Sequence, residues 1–161
     1  MLRPRGEAPH GTVDVVDFMP PRGDAADLVR TVEGVSGRVT MELVLRWRFD
    51  YGQVRPWVRR LDGAAAGEGS RHLLAVAGPD ALGLHADVPL DQDDDGDAVR
   101  AGFEVGAGEA VSFVLTHHAS HRPPVTPADP RAGLEQTRRF WSEWIARCTY
   151  RGRWEPEVRR S

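Results

Sequence analysis

Apolar and polar residues alternate along one stretch of the chain, residues 38–49. Every second position there is apolar: Val39, Met41, Leu43, Leu45, Trp47 and Phe49. The positions between them are polar except for Val44. Alternation of this kind is typical of a β-strand with one buried face, whereas a helix would scatter these residues around its axis. The pattern predicts a long strand over residues 38–49.

Shorter segments of strand character lie on both sides of this stretch. We predict strands at residues 12–19, 28–35, 54–59, 72–77, 82–88, 98–105 and 110–117. Gly-rich or acidic loops separate them at 62–69, 78–80, 91–97 and 106–108. Ser36-Gly37 is a turn signal, so the strands before and after it are expected to form a hairpin. Short strands with polar turns at this spacing indicate an antiparallel sandwich.

A helical period replaces the strand period near the C-terminus. Residues 120–132 form a Pro-rich connector, and apolar side chains then recur at steps of three and four residues: Leu134, Thr137, Phe140, Trp141, Trp144, Ile145 and Cys148. This spacing predicts an amphipathic helix over 133–148. A second helix is expected to begin at Glu155, because Pro156 suits an early helical position and acids favour the positive N-terminal end.

The predicted fold is therefore mainly β, an antiparallel super-β-sandwich with a C-terminal linker helix. We expect the sandwich over residues 1–119, the connector over 120–132, and the linker helix with the start of a second helix over 133–161. The chain has 161 residues, which suffices for a hydrophobic core.

Charge and composition narrow the class of protein. The net charge is only −3, which does not favour a nucleic-acid binder. All 21 basic residues are Arg, which favours bidentate pairing with the 24 acids. The chain shows neither a signal peptide nor an apolar run of membrane-spanning length, so we predict a cytoplasmic protein. Cys148 is the single cysteine, which excludes an internal disulfide, and we predict a buried thiol.

Two clusters could suggest a metal. The loop Asp91–Gly96 matches the first half of a calcium loop, but the twelfth position is Gly102 instead of a bidentate Glu, which favours a solvated hairpin loop. His117, His118 and His121 lack an accompanying Cys or nearby acid, which favours loop histidines. We assign no metal ligand and no cofactor.

The spacing of the acidic and aromatic residues along the chain does not identify a set of catalytic residues. A glycosidase needs two separated carboxylates, and nothing singles out such a pair among Asp14, Asp17, Glu33, Asp50, Glu104 and Glu109. We interpret Asp17 and Asp50 as acids that hold backbone N–H groups at turns. Tyr51 and Trp57 could stack on sugar rings, although aromatic residues on the inner face of a strand more often belong to a core.

Several strings resemble a known family in order and spacing: VDVVDFMPPRG, LVRTVEGVSGRVTMEL, LRWRFDYG and FVLTHH, followed by Trp141-x-x-Trp144 and the segment from Trp154 to Ser161. Together they resemble the N-terminal β domain of bacterial family 15 glycoside hydrolases, which are glucoamylase-like or trehalase-like. The resemblance covers nearly the whole chain. Its most specific parts are residues 16–20, 48–52, 141–144 and 158–161.

The resemblance implies an accessory domain that braces a catalytic (α/α)6 barrel, in cis or in trans, in an inverting, exo-acting α-glucosidase of carbohydrate metabolism. In the family the barrel carries both catalytic carboxylates. The chain itself is therefore expected to be catalytically silent, and no catalytic residue is carried over. The candidate domain-interface residues are Trp141, Trp144, Trp154, Arg159 and Arg160.

The chain departs from the family pattern at both ends, because family members have an upstream segment and continue past residue 161 into the barrel. We therefore expect upstream strands to be missing from the sandwich, which would leave an edge open to association. Two alternatives stand beside the accessory role. One is a carbohydrate-binding module that stacks Tyr51, Trp57 or Trp154 on α-glucan. The other is a non-catalytic subunit for a separately encoded barrel. The preferred α-glucoside and the oligomeric state stay open.

Overall fold

A computed structural model describes residues 1–21, 23, 25–61, 70–93, 96 and 98–160, without the side chains of Ser70 and Arg160. Within these residues the chain forms eight strands and two α-helices. The strands are β1 (Arg5–Ala8), β2 (Gly11–Phe18), β3 (Ala26–Arg46), β4 (Trp57–Arg60), β5 (Ser70–Ala77), β6 (Asp80–Gln92), β7 (Ala98–Gly106) and β8 (Ala110–Ala119). The helices are α1 (Pro130–Ala146) and α2 (Glu155–Arg160). The predicted loop 62–69 lies outside the described residues.

The strands form two connected antiparallel sheets. The larger sheet has the order β1-β2-β3-β8-β6-β5-β4, and the smaller one has the order β3-β7-β6. The first half of β3 pairs with β2 and β8, and its second half pairs with β7. β6 likewise passes from β8 to β7. The prediction of a mainly β, antiparallel fold with a C-terminal helix is confirmed.

The hairpin predicted at Ser36-Gly37 is wrong, because β3 continues through these residues as a single strand. Gly37 adopts φ +63, and a Cβ on Gly34 would lie 1.9 Å from the carbonyl oxygen of Gly106. These glycines let the strand bend where it leaves one sheet for the other. A glycine that is compatible with a turn can therefore equally allow a bend within a continuous strand.

The core lies between the sheets and follows the predicted alternation. Val39, Trp47 and Phe49 are buried, and Met41, Leu43 and Leu45 are partly buried against the same cluster. The larger sheet contributes apolar residues that face them: Val13, Val32, Leu73, Ala75, Leu84, Ala86, Val111 and Phe113. The intervening side chains of β3, including Val44, are exposed. The predicted inner face of residues 38–49 is confirmed, although the strand itself ends at Arg46.

A second, smaller cluster covers the outer face of the larger sheet. Val16, Phe18, Val29 and Val114 are each at most 3% exposed, and Leu134 of α1 packs against them. The close approach of α1 depends on Gly133, where a Cβ would lie 3.4 Å from both Phe18 and Pro20. The helix thus lies on the sheet through its first turns.

Local chemistry sets the ends of α1, which differ from the predicted 133–148. The Asp129 carboxylate accepts the Ala132 N–H at 2.7 Å, and proline follows it in the first turn, so the helix begins at Pro130. It ends at Ala146, which places Cys148 just beyond it. Cys148 is half-buried, so the prediction of a buried thiol is wrong. α2 begins at Glu155 as predicted.

Arginine–carboxylate pairs bind residues 1–8, called the N-terminal leader, to β2 and β3. Arg5 donates to both oxygens of Asp14, at 2.7 and 3.1 Å, and Arg3 donates to Asp14 and Glu33. The bonds from Arg5 outweigh the burial of the carboxylate and lower the pKa of Asp14 to about 2. The expectation that an Arg-only chain forms bidentate pairs is confirmed here.

No helix in the described part of the chain is long and apolar enough to cross a membrane.

Candidate functional site

Four large aromatic side chains on or next to the C-terminal helices are exposed. Trp141 and Trp144 are 52% exposed, Phe140 is 45% exposed, and Trp154, just before α2, is 55% exposed. Phe140, Trp141 and Trp144 are hereafter called the aromatic surface of α1. Exposure of several such residues on one element marks a site of interaction more often than chance, because monomers seldom expose large contiguous apolar patches.

The aromatic surface of α1 is ordered by its own ring contacts. Trp141 packs edge-on against Phe140 at 5.2 Å between ring centroids, and against Trp144 at 5.8 Å. These are preferred geometries for aromatic pairs. The rings therefore form a continuous apolar surface instead of three separate side chains.

A groove of about 700 Å³ runs beside these rings. α1 and α2 form it together with the start of the chain, and its lining residues are Met1, Thr137, Arg138, Trp141, Ser142, Trp144, Ile145 and Arg159. Trp141, Trp144 and Arg159, three of the candidate interface residues, are thus brought together. The groove combines apolar walls with guanidinium groups, a composition that favours protein partners because Trp and Arg are enriched among the residues that dominate interface energies.

Arg159, one of the two basic interface candidates on α2, is held by an ion pair. Arg159 donates to Glu155 at 2.8 Å, one helical turn earlier, and Arg151 also lies 3.4 Å from the same carboxylate oxygen. This pairing holds α2 against the segment before it. The side chain of Arg160 lies outside the described residues.

Trp154 stands apart from the aromatic surface of α1 in its contacts. Its ring lies under the guanidinium of Arg153, at 4.9 Å from the ring centroid. The guanidinium cation is attracted to the electron-rich face of the ring. Trp154 is therefore exposed but already has one partner, and the groove lining does not include it.

The two candidate sugar-stacking residues are also exposed. Tyr51 is 98% exposed in a short 3₁₀ turn with a left-handed φ of 56°, and Trp57 is 65% exposed at the start of β4. Arg59 lies 5.7 Å from the Trp57 ring centroid. β4 ends the larger sheet on the side opposite β2, whereas α1 packs on β2. Trp57 therefore lies on a strand that is separated in the sheet from the strands that α1 covers.

In the part of the chain that the structure describes, five of the six acids considered as catalytic candidates, all except Asp50, lie within ion-pair distance of an arginine. Arg30 binds both oxygens of Asp17 at 2.7 Å, which lowers the pKa of Asp17. The interpretation of Asp17 as a turn acid is therefore wrong: it forms a cross-strand ion pair. Glu109 accepts the Gly106 N–H at 2.7 Å and lies beside Arg38, and both contacts lower its pKa. A carboxyl group whose pKa is lowered in this way stays ionised near neutral pH and is therefore a poor general acid.

The suspected metal clusters have structural partners. Asp93 accepts the Ala98 N–H at 3.0 Å, which closes the hairpin between β6 and β7 as predicted; Asp94 and Asp95 lie outside the described residues. His117 and His118 lie on β8, so the prediction of loop histidines is wrong for both. His117 is exposed and bonds the Asp80 carboxylate at 2.9 Å, whereas His118 is buried on the opposite face. Across the described ranges, no three His, Cys, Asp or Glu side chains are grouped so as to hold a metal ion.

The structure brings together Trp141, Trp144 and Arg159, three of the residues predicted for an interface, in a groove that the sequence did not predict. Met1 closes one side of that groove. Its position follows from the pairing of Leu2 with Asp17, in which each backbone N–H donates to the other residue's carbonyl, at 2.8 and 2.9 Å. The two Arg residues of the leader were the available signal, since they bind Asp14 beside this pairing.

Comparison with models of known protein families finds no match for this sequence, and a search among curated proteins finds no significant relative.

Proposed function

We propose that this chain is the accessory β-sandwich domain of a family 15-like α-glucoside hydrolase, and that it binds a catalytic (α/α)6 barrel through α1. The observation that carries the proposal is the aromatic surface of α1, with the groove beside it. The resemblance of the sequence to the N-terminal domain of such enzymes supplies the identity of the partner.

The contacts of α1 support a bracing role. Its first turns are fixed to the sheet through Gly133 and Leu134, and the Asp129 carboxylate caps its N-terminus. Its later turns present Trp141 and Trp144 to solvent on the same rigid element. A helix anchored at one end can hold a partner in a defined orientation, because little conformational freedom is left to lose on binding.

The state of the acids supports catalytic silence. Asp14, Asp17 and Glu109 are paired with Arg or backbone donors, and each has a lowered pKa. An inverting hydrolase needs one carboxylic acid that stays protonated and one free carboxylate separated by room for water. We therefore expect no hydrolysis of trehalose or maltose by the chain alone. Turnover that disappears when an acid of this chain is replaced would overturn the proposal.

Binding in trans tests the partner. The chain is titrated with a purified (α/α)6 barrel of a bacterial family 15 hydrolase, and the heat of binding is recorded. We expect saturable binding that is lost in the double variant Trp141→Ala and Trp144→Ala. Trp57→Ala is the matched control, since it removes an equally large exposed ring from a distant strand. Equal binding by both variants would contradict the assignment of the interface.

Carbohydrate binding is a second candidate, favoured by the exposure of Tyr51 and Trp57. Sugar rings stack on open aromatic faces, and neither ring is buried in the core. Titration with malto-oligosaccharides would then change tryptophan fluorescence in the native chain but not in Trp57→Ala. An unchanged spectrum in the native chain would leave only the protein–protein role.

A further inference from the structure

The second half of β3 has an open edge. Residues 38–46 pair with β7 on one side, and no other described residue forms a ladder with them on the opposite side. β2 occupies that opposite side only as far as Gly37. An unpaired strand edge presents backbone donors and acceptors that can accept a further strand.

The backbone groups at this edge can be assigned by alternation. The N–H of Arg38 donates to His10 at 3.0 Å, so it points to the side of β2 and away from β7. Alternate residues of a strand direct their backbone groups to the same edge. Those of Thr40, Glu42, Val44 and Arg46 therefore point outward along the open edge.

The side chains of this segment leave apolar surface on both faces. Val44 is 43% exposed on the outer face. Met41, Leu43 and Leu45 on the inner face are only partly buried. A cavity of about 180 Å³ adjoins them between the sheets, lined by Asp17, Leu28, Arg30, Leu43, Leu45, Leu84, Phe113 and Leu115. An added strand would cover this surface.

We propose that the open edge of β3 pairs antiparallel with the same edge of a second copy, with Val44 facing Val44 across the two-fold axis. In this register Glu42 faces Arg46 twice, and Thr40 faces Arg48. Opposite charges directly across an antiparallel pair are favourable, and like charges are unfavourable. The inference is independent of the function proposed for α1.

Two other registers are less favourable. Centring on Glu42 would place the two Glu42 carboxylates together and set Arg38 against Arg46. Centring on Thr40 would pair Arg38 with Glu42, but the Arg38 N–H is already bonded to His10. Glu42 already accepts a bond from Arg100 at 2.9 Å through one oxygen, and its second oxygen can serve Arg46 of the other copy.

Sedimentation velocity over a range of concentrations, combined with cysteine cross-linking, tests the pairing. Facing residues of a hydrogen-bonded pair have Cα atoms about 5.5 Å apart, within the range of roughly 4.4–6.8 Å that a disulfide spans. Val44→Cys in a Cys148→Ser background is expected to give a covalent dimer on mild oxidation. Thr40→Cys in the same background is the matched control, because it faces Arg48 and should associate without forming a covalent dimer.

Charge reversal tests the register independently. Arg46→Glu places like charges opposite each other twice per dimer, and we expect the dissociation constant to rise roughly tenfold. Adding Glu42→Arg restores opposite charges and should restore association. Arg139→Glu on α1 is the control, with unchanged association. A chain that stays monomeric at all concentrations overturns the proposal. Cross-linking through Thr40→Cys instead of Val44→Cys, or a dimer lost only on replacing Trp141 and Trp144, does so as well.

Discussion

The two halves of α1 have the same hydrophobic period but opposite surroundings. Gly133 and Thr137 in the first half are buried, and Leu134 packs on the outer cluster of the sheet. Trp141 and Trp144 in the second half continue the same face but are half exposed. Periodicity therefore locates the apolar face of a helix, whereas the surrounding structure determines where that face is covered.

The most severe test of this difference removes the surface under the first half. Phe18 is 3% exposed, and its ring lies where Gly133 approaches the sheet. We expect Phe18→Ala to lower the free energy of unfolding by about 3–5 kcal/mol, because a buried ring is lost and a cavity remains. Urea denaturation followed by circular dichroism measures the change. A loss below about 1 kcal/mol would mean that α1 does not depend on this cluster.

Truncation within the helix should have a smaller effect. Leu134→Ala removes a partly buried side chain, and we expect a loss of about 1–2 kcal/mol, less than for a fully buried leucine. Phe140→Ala is the matched control on the same helix, with an expected change within about 0.5 kcal/mol because Phe140 is exposed. Equal losses for the two variants would remove the distinction between the halves of α1.

The N-terminal leader offers a contrast in the kind of interaction, because backbone hydrogen bonds and ion pairs hold it instead of apolar packing. The contribution of these ion pairs to the free energy of unfolding should be smaller again, since Arg3 and Arg5 are largely solvated and such pairs are screened. The folded-state pKa of Asp14 is about 2, below its usual 3.8. The stabilisation is thus present above about pH 4 and is lost as the pH falls towards 2.

Urea midpoints compared at about pH 6 and pH 3 check this dependence. Asp14→Asn should flatten the acid limb of the curve, because the amide cannot titrate. Asp17, whose pKa is also lowered by Arg30, contributes in the same direction and stays present in that variant. An acid limb that is as steep in Asp14→Asn as in the native chain would assign the dependence to other groups.

Burial could be predicted from the sequence where the local pattern and the tertiary packing agree. Val39, Trp47 and Phe49 are buried as their alternation requires, and Val44 is exposed as its parity requires. In each case the residue's own geometry, and not a distant partner, determines the outcome. The start of α1, by contrast, was predicted at residue 133, although a cap at Asp129 and a proline at Pro130 begin the helix three residues earlier.

The sequence was insufficient where the outcome depends on residues far along the chain. Gly37 suits a hairpin turn and a bend equally well, and the pairing of β3 with β7 and β8 selects the bend. Asp17 suits a turn, but the register of β2 on β3 places it opposite Arg30. Groove formation by Met1, Trp141 and Arg159 likewise requires three separate segments to meet.

The smallest expected effect on stability comes from the aromatic surface itself. The double variant Trp141→Ala and Trp144→Ala loses two large side chains, but both are half exposed, and Trp141 makes its ring contacts with Trp144 and Phe140. We expect the free energy of unfolding to change by less than about 1 kcal/mol, since the higher helix propensity of Ala at two solvent-facing positions offsets part of the burial that is lost. The same variant should lose binding to the barrel. A surface that contributes little to folding but much to association is retained for a partner. A loss of stability comparable to that of Phe18→Ala would instead make these rings part of the domain core.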